Sequence, residues 1–285
     1  MLGAGGQVGR AVMRQAAVRG FDAIGRTHAE LDITQAGSVQ SAVADCGPDW
    51  VVNAAAYTAV DRAEQEPERA QALNATAVGH LAQAAARAGA RLLHLSTDFV
   101  FDGAAAHPYR PSDAAHPLSV YGRSKRAGEE IALASDSRAV VLRTSWVYAA
   151  QGQNFVLTML RLMRERPEVQ VVSDQIGSPT FAGGLARAIC ELMQAAAAPG
   201  ILHWSDLGVA SWYDFAVAIQ EEALVRALLS RAVPVRPIAT PQYPTPARRP
   251  GFSVLDTSEA RALVRTPGVH WRENLRVMLD ELRAA

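Results

Sequence analysis

YGRSK, residues 121–125, places a tyrosine and a lysine four residues apart, and Lys125 is the one lysine of the chain: every other member of its 28 lysines and arginines is arginine. In a helix that spacing puts both side chains on one face, with Cβ atoms about 6 Å apart. A phenol with an ordinary pKa of about 10 is a weak acid–base catalyst at neutral pH, and a neighbouring ammonium stabilises the phenolate and brings that value down. The pair therefore predicts proton transfer to a carbonyl oxygen, with Tyr121 as donor. Arginine carries its charge on a wide planar fork that keeps its proton, which gives a chemical reason for one lysine to survive. The same spacing also occurs on solvated helix faces, so its meaning depends on what surrounds it.

Two further motifs supply surroundings. STDFVFDG, residues 96–103, follows the apolar run RLLHL, so Ser96, Thr97 and Asp98 emerge at the carboxyl end of a strand, where open α/β sheets bind ligands. A hydroxyl there can hydrogen-bond a substrate oxygen; the same residues would also serve as a plain turn cap. GAGGQVG, residues 3–9, sets Gly3, Gly6 and Gly9 at the spacing that lets backbone amides approach a pyrophosphate, with Gln7 and Val8 opening a helical pattern behind them. Such a loop alone is also an ordinary turn. Where an NAD-specific site places an acid after the second apolar segment, the chain reads IGRT, so Arg26 is available to a 2′-phosphate and NADPH is expected to serve at least as well as NADH.

The elements that must position these groups read as α/β. Apolar runs at 50–56, 91–96, 139–144, 169–173 and 200–204 alternate with helix-length segments, the pattern of parallel strands covered on both faces. Helices are expected over 67–88, with a proline in the first turn and Gly89 behind it, and over 211–229, opened by Ser211. The proline-rich stretch 234–250 predicts a loop or a docked extended strand. The expected architecture is a Rossmann-type doubly wound parallel sheet over residues 1–150, with a smaller mixed α/β substrate domain over 151–285 from which segments of about 169–205 return to the sheet. One strand is short: only Met1 and Leu2 precede Gly3, so the natural chain is expected to start upstream.

Composition narrows the function. With formal net charge zero and a pI of about 7.1, the chain lacks the electrostatic signature of a nucleic-acid or membrane-surface partner. Cys46 and Cys190 stand far apart in no metal-ligand spacing, which predicts a reducing, cytoplasmic setting without a disulfide framework. No apolar run reaches the length of a membrane span.

The combination resembles the extended short-chain dehydrogenase/reductase superfamily and, within it, the dTDP-4-dehydrorhamnose reductase family. The likeness runs through GAGGQVG, LDIT, VVNAAAYTAVDRAEQEPERAQALNA, LSTDFVFDG, YGRSK, LRTSWVY, NFVLTML, DQIGSPT and YPTPARRPG, nearly the whole chain. It implies NADPH-dependent reduction, with NADH an alternative, of the C4 ketone of a nucleotide sugar, the last step of dTDP-L-rhamnose synthesis. It assigns Thr97, Tyr121 and Lys125 to catalysis, Tyr121 and Lys125 also to the cofactor, with Lys125 at the nicotinamide ribose, Asp32 and Ile33 to the adenine, and Ala54, Ala55, Ala56, Tyr57 and Thr58 to the cofactor wall. Thr97, Asp98 and Trp146 match substrate-contacting positions, and Arg249 is a candidate contact to the diphosphate. Two departures matter: Phe99 stands where the family commonly has tyrosine, and Ala11 and Val12 replace the acidic pair of metal-bridged relatives, so no metal is expected. A monomer or homodimer is expected. Two rival readings remain: a non-catalytic dinucleotide-binding regulatory subunit of the kind that accompanies methionine adenosyltransferase, against which Thr97, Tyr121 and Lys125 count, and a nucleotide-sugar epimerase or dehydratase, against which DQIGSPT and PTPARRPG count.

Overall fold

A computed structural model describes residues 1–136, 138–195 and 200–284. Four parallel strands, β1 (Trp50–Asn53), β2 (Arg91–Thr97), β3 (Val140–Thr144) and β4 (Gly200–His203), pair in that order. Side chains alternate along each strand, so neighbouring residues enter different cores. Val51, Leu92 and Val141 pack with helices α2 (Ala36–Cys46) and α3 (Ala77–Arg87). Val52, Leu93 and Leu142 pack with α1 (Gln7–Val18) and α5 (Ala182–Gln194). Apolar residues at nearly every position of these strands are what burial on both faces requires.

The short first strand is filled by Met1 and Leu2. Leu2 bridges Arg26 on one side and Asn53 on the other, donating to Val52 O at 2.8 Å and accepting from Ala54 N at 3.1 Å. Arg26 N donates to Met1 O at 2.8 Å, and the terminal amine donates to Ile24 O at 2.8 Å. Two residues thus occupy the middle of the sheet and carry the chain into the glycine loop.

The helix expected over 67–88 forms with an interruption. Pro67–Gln71 and α3 are joined by a π-helical turn, Ala72–Thr76, which turns Asn74 inward. The Asn74 amide accepts from Tyr57 N at 2.8 Å and donates to Tyr57 O at 3.1 Å and Ser124 Oγ at 3.0 Å. A widened turn of this kind re-aims one side chain without ending the helix. Here it joins the loop after β1 to helix α4 (Val120–Ser135).

Two buried groups fix α4 against the sheet. Glu129 accepts from Arg143 Nε at 2.8 Å, Arg143 Nη2 at 2.7 Å and Ser96 Oγ at 2.5 Å. Burial pushes the Glu129 carboxyl up, but Arg143, Ser96 and Arg126 outweigh it and hold it below the usual glutamate range. Gly128 brings the helix close: a Cβ there would stand 2.1 Å from Asn74 O.

The C-terminal half has its own core, in which helix Trp212–Val225, capped by Ser211, packs against Phe155–Glu165 and Trp271–Ala284. Within 169–205, α5 packs on the main sheet and β4 joins it. Val169–Val172 pairs instead with Val235–Ile238 in a separate two-stranded sheet, so part of the proline-rich stretch is the docked strand. Pro237 is tolerated because this strand has a neighbour on one edge alone. Among the described residues, no helix is long and apolar enough to cross a membrane.

Two buried histidines bear on how the fold responds to acid. His94 and His203 are fully buried; burial and the neighbouring cations Lys125 and Arg143 push the first well below 6.5 and the second down to about 4. In the unfolded chain both take up protons from pH 6.5 downwards, whereas the folded chain resists, so their contribution to stability is complete above that value and is lost with decreasing pH. Asp98 and Asp206, pushed up by burial to about 6 and about 7, act in the opposite sense over the same range, because the folded chain takes up their protons first. The histidine contribution is therefore read by difference: the urea-unfolding stability of the unaltered chain minus that of His203→Gln should fall between pH 6.5 and about 4, with a limiting slope of about 1.4 kcal/mol per pH unit. A difference that stays flat across the window would rule the account out.

Candidate active site

The glycine loop leaves the sheet at Leu2. Gly3 adopts φ 74°, and a Cβ on it would lie 2.7 Å from Ala55 N; a Cβ on Gly9 would lie 2.1 Å from Gly3 O. Only glycine permits this proximity, and Gly6 closes the turn by donating to Gly3 O at 2.9 Å. Gly6 caps α1 without a side chain, so the first amides of the helix lack an intrahelical acceptor. Gly6, Gln7, Val8 and Gly9 line a cleft of about 720 Å³ that also holds Thr97, Asp98, Tyr121, Lys125, Trp146 and Arg249.

A second cleft of about 740 Å³ continues from the first past Gly5, Gly6, Ala54, Ala56 and Thr58, which border both. It holds Gly3, Asp32, Ile33, Ala55 and Tyr57. The residues expected to serve the cofactor thus line one continuous trough, with one exception. Arg26 faces a separate notch with Met1, Leu2 and Trp50, and the arginines bordering the second cleft are instead Arg62 and Arg69. Arg26 bridges the strand stub at Leu2, and its charge acts on the terminal amine of Met1.

At the chemical end, Ser119 caps α4 by accepting from Gly122 N at 3.1 Å, and Gly122 lets the helix start against the turn after β2: a Cβ on it would meet Phe99 O at 2.3 Å. This delivers Tyr121 beside Thr97. Thr97 Oγ1 donates to Asp98 Oδ1 at 3.1 Å and accepts from Phe99 N at 3.2 Å. Phe99 meets Tyr121 edge-on, with ring centroids 5.7 Å apart, so the missing hydroxyl leaves an apolar wall against the phenol.

The electrostatics differ from the expectation. Tyr121 is pushed up to about 12 by burial and by the charge of Asp98, with the Thr97 hydroxyl opposing. Lys125 is pushed down to about 8 by burial, against the pull of Glu129. Its amine bonds Leu95 O at 2.6 Å and lies 3.2 Å from His94 Nε2, so it is directed at the strand and does not lower the phenol. The phenol is therefore held in its proton-bearing form. Burial also pushes Asp98 up to about 6, with the hydroxyls of Ser253 and Thr97 opposing.

Trp146 and Arg249 close the far side. Trp146 takes φ 47° and stacks on Trp212 with centroids 3.5 Å apart and planes 5° from parallel. Gly177, in DQIGSPT, makes room: a Cβ there would stand 2.6 Å from Trp146 Cε2. Arg249 grips Asp61 through both carboxylate oxygens, at 3.0 and 2.7 Å, tying the proline-rich stretch to the short helix Val60–Ala63.

Several of these groups gave no sequence signal by themselves. Asn74 sits in a helical pattern whose polar positions read as solvent-facing. Trp212 reads as core, and Asn53 and His94 read as strand residues. The loop before helix Phe155–Glu165 also reaches the glycine loop, with Asn154 donating to Gln7 Oε1 at 2.8 Å and Gln7 donating to Gln153 O at 3.2 Å.

The assembled trough of glycine loop, serine–threonine–aspartate turn and tyrosine–lysine helix has counterparts of known name. A family described as RmlD substrate binding domain matches residues 1–284. The dTDP-4-dehydrorhamnose reductase of Aggregatibacter actinomycetemcomitans is 39% identical, over 97% of this chain and 96% of its own. This chain belongs to the dTDP-4-dehydrorhamnose reductase family. It is also 41% identical to the spore coat polysaccharide biosynthesis protein SpsK of Bacillus subtilis, over 100% of this chain and 98% of the relative. Among solved structures, the dTDP-4-dehydrorhamnose reductase of Bacillus anthracis in complex with NADP superposes with a TM-score of 0.92 at 35% identity, covering 98% of this chain and 97% of that one. The reductase-family fold therefore extends through both halves of the chain.

The Trp146–Trp212 stack supplies a test of this geometry. Gly177→Ala should force the Trp146 indole off its partner while the fold survives with a loss of about 1–3 kcal/mol in urea unfolding. The ring-current shift of the Trp146 indole proton, assigned by its disappearance in Trp146→Phe, should collapse with it. An unchanged shift in Gly177→Ala would mean that the glycine is not what admits the indole.

Proposed function

We propose that the chain reduces the C4 ketone of dTDP-4-dehydro-L-rhamnose to dTDP-L-rhamnose, with NADPH as reductant and NADH as an alternative. The observation that carries this reading is the gathering of Thr97, Tyr121 and Lys125 at one end of the trough opened by the glycine loop. The names of relatives about 40% identical over the full chain support the substrate, and the NADP complex of the Bacillus anthracis relative supports the cofactor. The trough fits a dinucleotide. Gly3 and Gly9 leave no room for a Cβ, the first helix amides are uncapped, and Asp32 and Ile33 line the end where an adenine would lie.

When bound, the reduced cofactor supplies the hydride. The remaining steps belong to residues of this chain. Tyr121, held as a phenol by burial, gives its proton to the sugar C4 oxygen as that oxygen gains charge. Thr97 holds the same oxygen from the end of β2. Lys125 grips the nicotinamide ribose and returns a proton to the phenolate. Asp98 and the stacked Trp146 shape the sugar site, and Arg249 meets the diphosphate at the rim. Residues 1–150 serve mainly the cofactor and 151–285 mainly the substrate, in a cytoplasmic monomer or homodimer.

The direct test incubates the protein with dTDP-4-dehydro-L-rhamnose and NADPH, follows the loss of reduced-nicotinamide absorbance, and identifies the sugar by NMR. Stoichiometric appearance of dTDP-L-rhamnose is expected. Interconversion of sugars without net cofactor oxidation would instead indicate an epimerase, and binding without turnover would indicate a regulatory subunit. Lys125 is 2% exposed, so the larger fork of Lys125→Arg is expected to cost about 1–3 kcal/mol of stability in a chain that still folds. Its kcat/KM should fall at least about 100-fold, about 2.7 kcal/mol of transition-state stabilisation. Turnover near that of the unaltered chain would remove Lys125 from the mechanism.

A further inference from the structure

Behind Lys125 lies a chain of buried polar groups whose donors and acceptors allow one arrangement. Asn53 is fully buried at the end of β1, and its Oδ1 accepts from Ala55 N at 3.0 Å. A backbone amide can only donate, so the oxygen of the Asn53 side chain is identified and its NH₂ faces the other way. That NH₂ lies 3.0 Å from His94 Nδ1. Because it can only donate, Nδ1 carries the lone pair, and the neutral ring carries its proton on Nε2. His94 Nε2 lies 3.2 Å from Lys125 Nζ, which itself donates to Leu95 O at 2.6 Å. An Nε2–H so placed needs an acceptor. An ammonium has none, whereas a neutral amine has one lone pair.

We propose that Asn53 and His94 are positioning residues that form a tautomer lock, directing Nε2–H of His94 at Lys125 and favouring its neutral amine enough that the ammonium gives up its proton readily. The inference deepens the reductase reading and rests on it for its purpose. After Tyr121 protonates the sugar oxygen, its phenolate takes a proton from the Lys125 ammonium and leaves the amine, which the lock stabilises until a proton from water restores the charge. A lysine fixed permanently as ammonium could not be the shuttle in that exchange.

The groups surrounding Lys125 agree with this assignment. From β2, His94 is buried and held well below its ordinary value by burial and then by Lys125, so it does not become a second cation. On α4, Glu129 pulls Lys125 towards the charged form, but its carboxylate is already matched by Arg143 from β3, Arg126 and Ser96. Tyr121 lies one turn earlier on the same helix, and Asp98 acts on that phenol. The balance of these influences places Lys125 at about 8, within reach of both states near neutral pH.

The single lysine makes the test direct. Protein labelled with ¹³Cε-lysine gives one resonance, and ¹⁵N-labelled histidine reports which ring nitrogen bears the proton. In the cofactor-free protein at neutral pH, His94, assigned by its loss in His94→Gln, should show a protonated Nε2 and an unprotonated Nδ1, and the lysine should titrate near 8. Asn53→Asp offers the ring a carboxylate acceptor, which moves the proton to Nδ1 and frees Nε2 to accept from an ammonium. The tautomer should reverse and the lysine titration should rise by about one pH unit or more. A protonated Nδ1 in the unaltered chain, or an ordinary lysine titration above about 10, would overturn the proposal. So would an unmoved lysine titration in Asn53→Asp whose histidine tautomer has reversed. None of these readings needs the sugar substrate, so failure of the lock and failure of the reductase assignment are separate results.

Discussion

The geometry of the trough depends on how closely α4 lies on the carboxyl ends of β2 and β3. Glycine at 122 and 128 removes the side chains that would separate the helix from Phe99 O and Asn74 O. Between these contacts, Ser124 accepts from Asn74, Lys125 donates to Leu95 O and Glu129 accepts from Arg143. Tyr121 reaches Thr97 because the backbone one turn away cannot move outward without breaking these bonds. The π-turn at Ala72–Thr76 belongs to the same constraint, since it presents Asn74 to the helix and to Tyr57 at once.

Burial of so many polar groups carries a desolvation cost that a hydrophobic interface would avoid. The pair Glu129–Arg143, with exposures of 0% and 1%, is therefore poor evidence of stabilisation. Its value lies in register. A Leu-rich helix could slide by a fraction of a turn at small cost, whereas a carboxylate held by a guanidinium fork and a serine hydroxyl has one seat. The same low-dielectric interior that makes the pair costly raises Tyr121 and lowers Lys125, and it drives their proton affinities apart, so that a Tyr121 phenolate takes a proton from the Lys125 ammonium readily.

Much of this was legible from residue spacing. The tyrosine and lysine read correctly as one helical face because α4 is regular from Val120 to Ser135, and the apolar runs read as strands because both faces of the sheet are covered. What was hidden depends on contacts between distant segments. Val169–Val172 reads like any buried strand, and nothing in its pattern says that Val235–Ile238 is its partner. The lysine was read as an influence on the tyrosine from their spacing alone, but the acceptors that decide its direction are Leu95 O and the His94 ring. Trp146 was marked, whereas Trp212, which gives it a surface to stack on, lies 66 positions further along the chain and carried no motif.

The surviving lysine can now be understood from both sides of its amine. Towards the cleft, charge is useful; towards the strand, Asn53 and His94 present a wall whose only free hydrogen-bonding group is a donor. Arginine satisfies the first side and fails the second, because a guanidinium has five donors and no lone pair to offer. A residue at this position must be able to carry a proton and also to exist without it, and among the basic side chains whose length spans a helix-to-sheet gap only lysine does both. In a sequence that otherwise uses arginine for positive charge, the exception falls where charge has to be reversible.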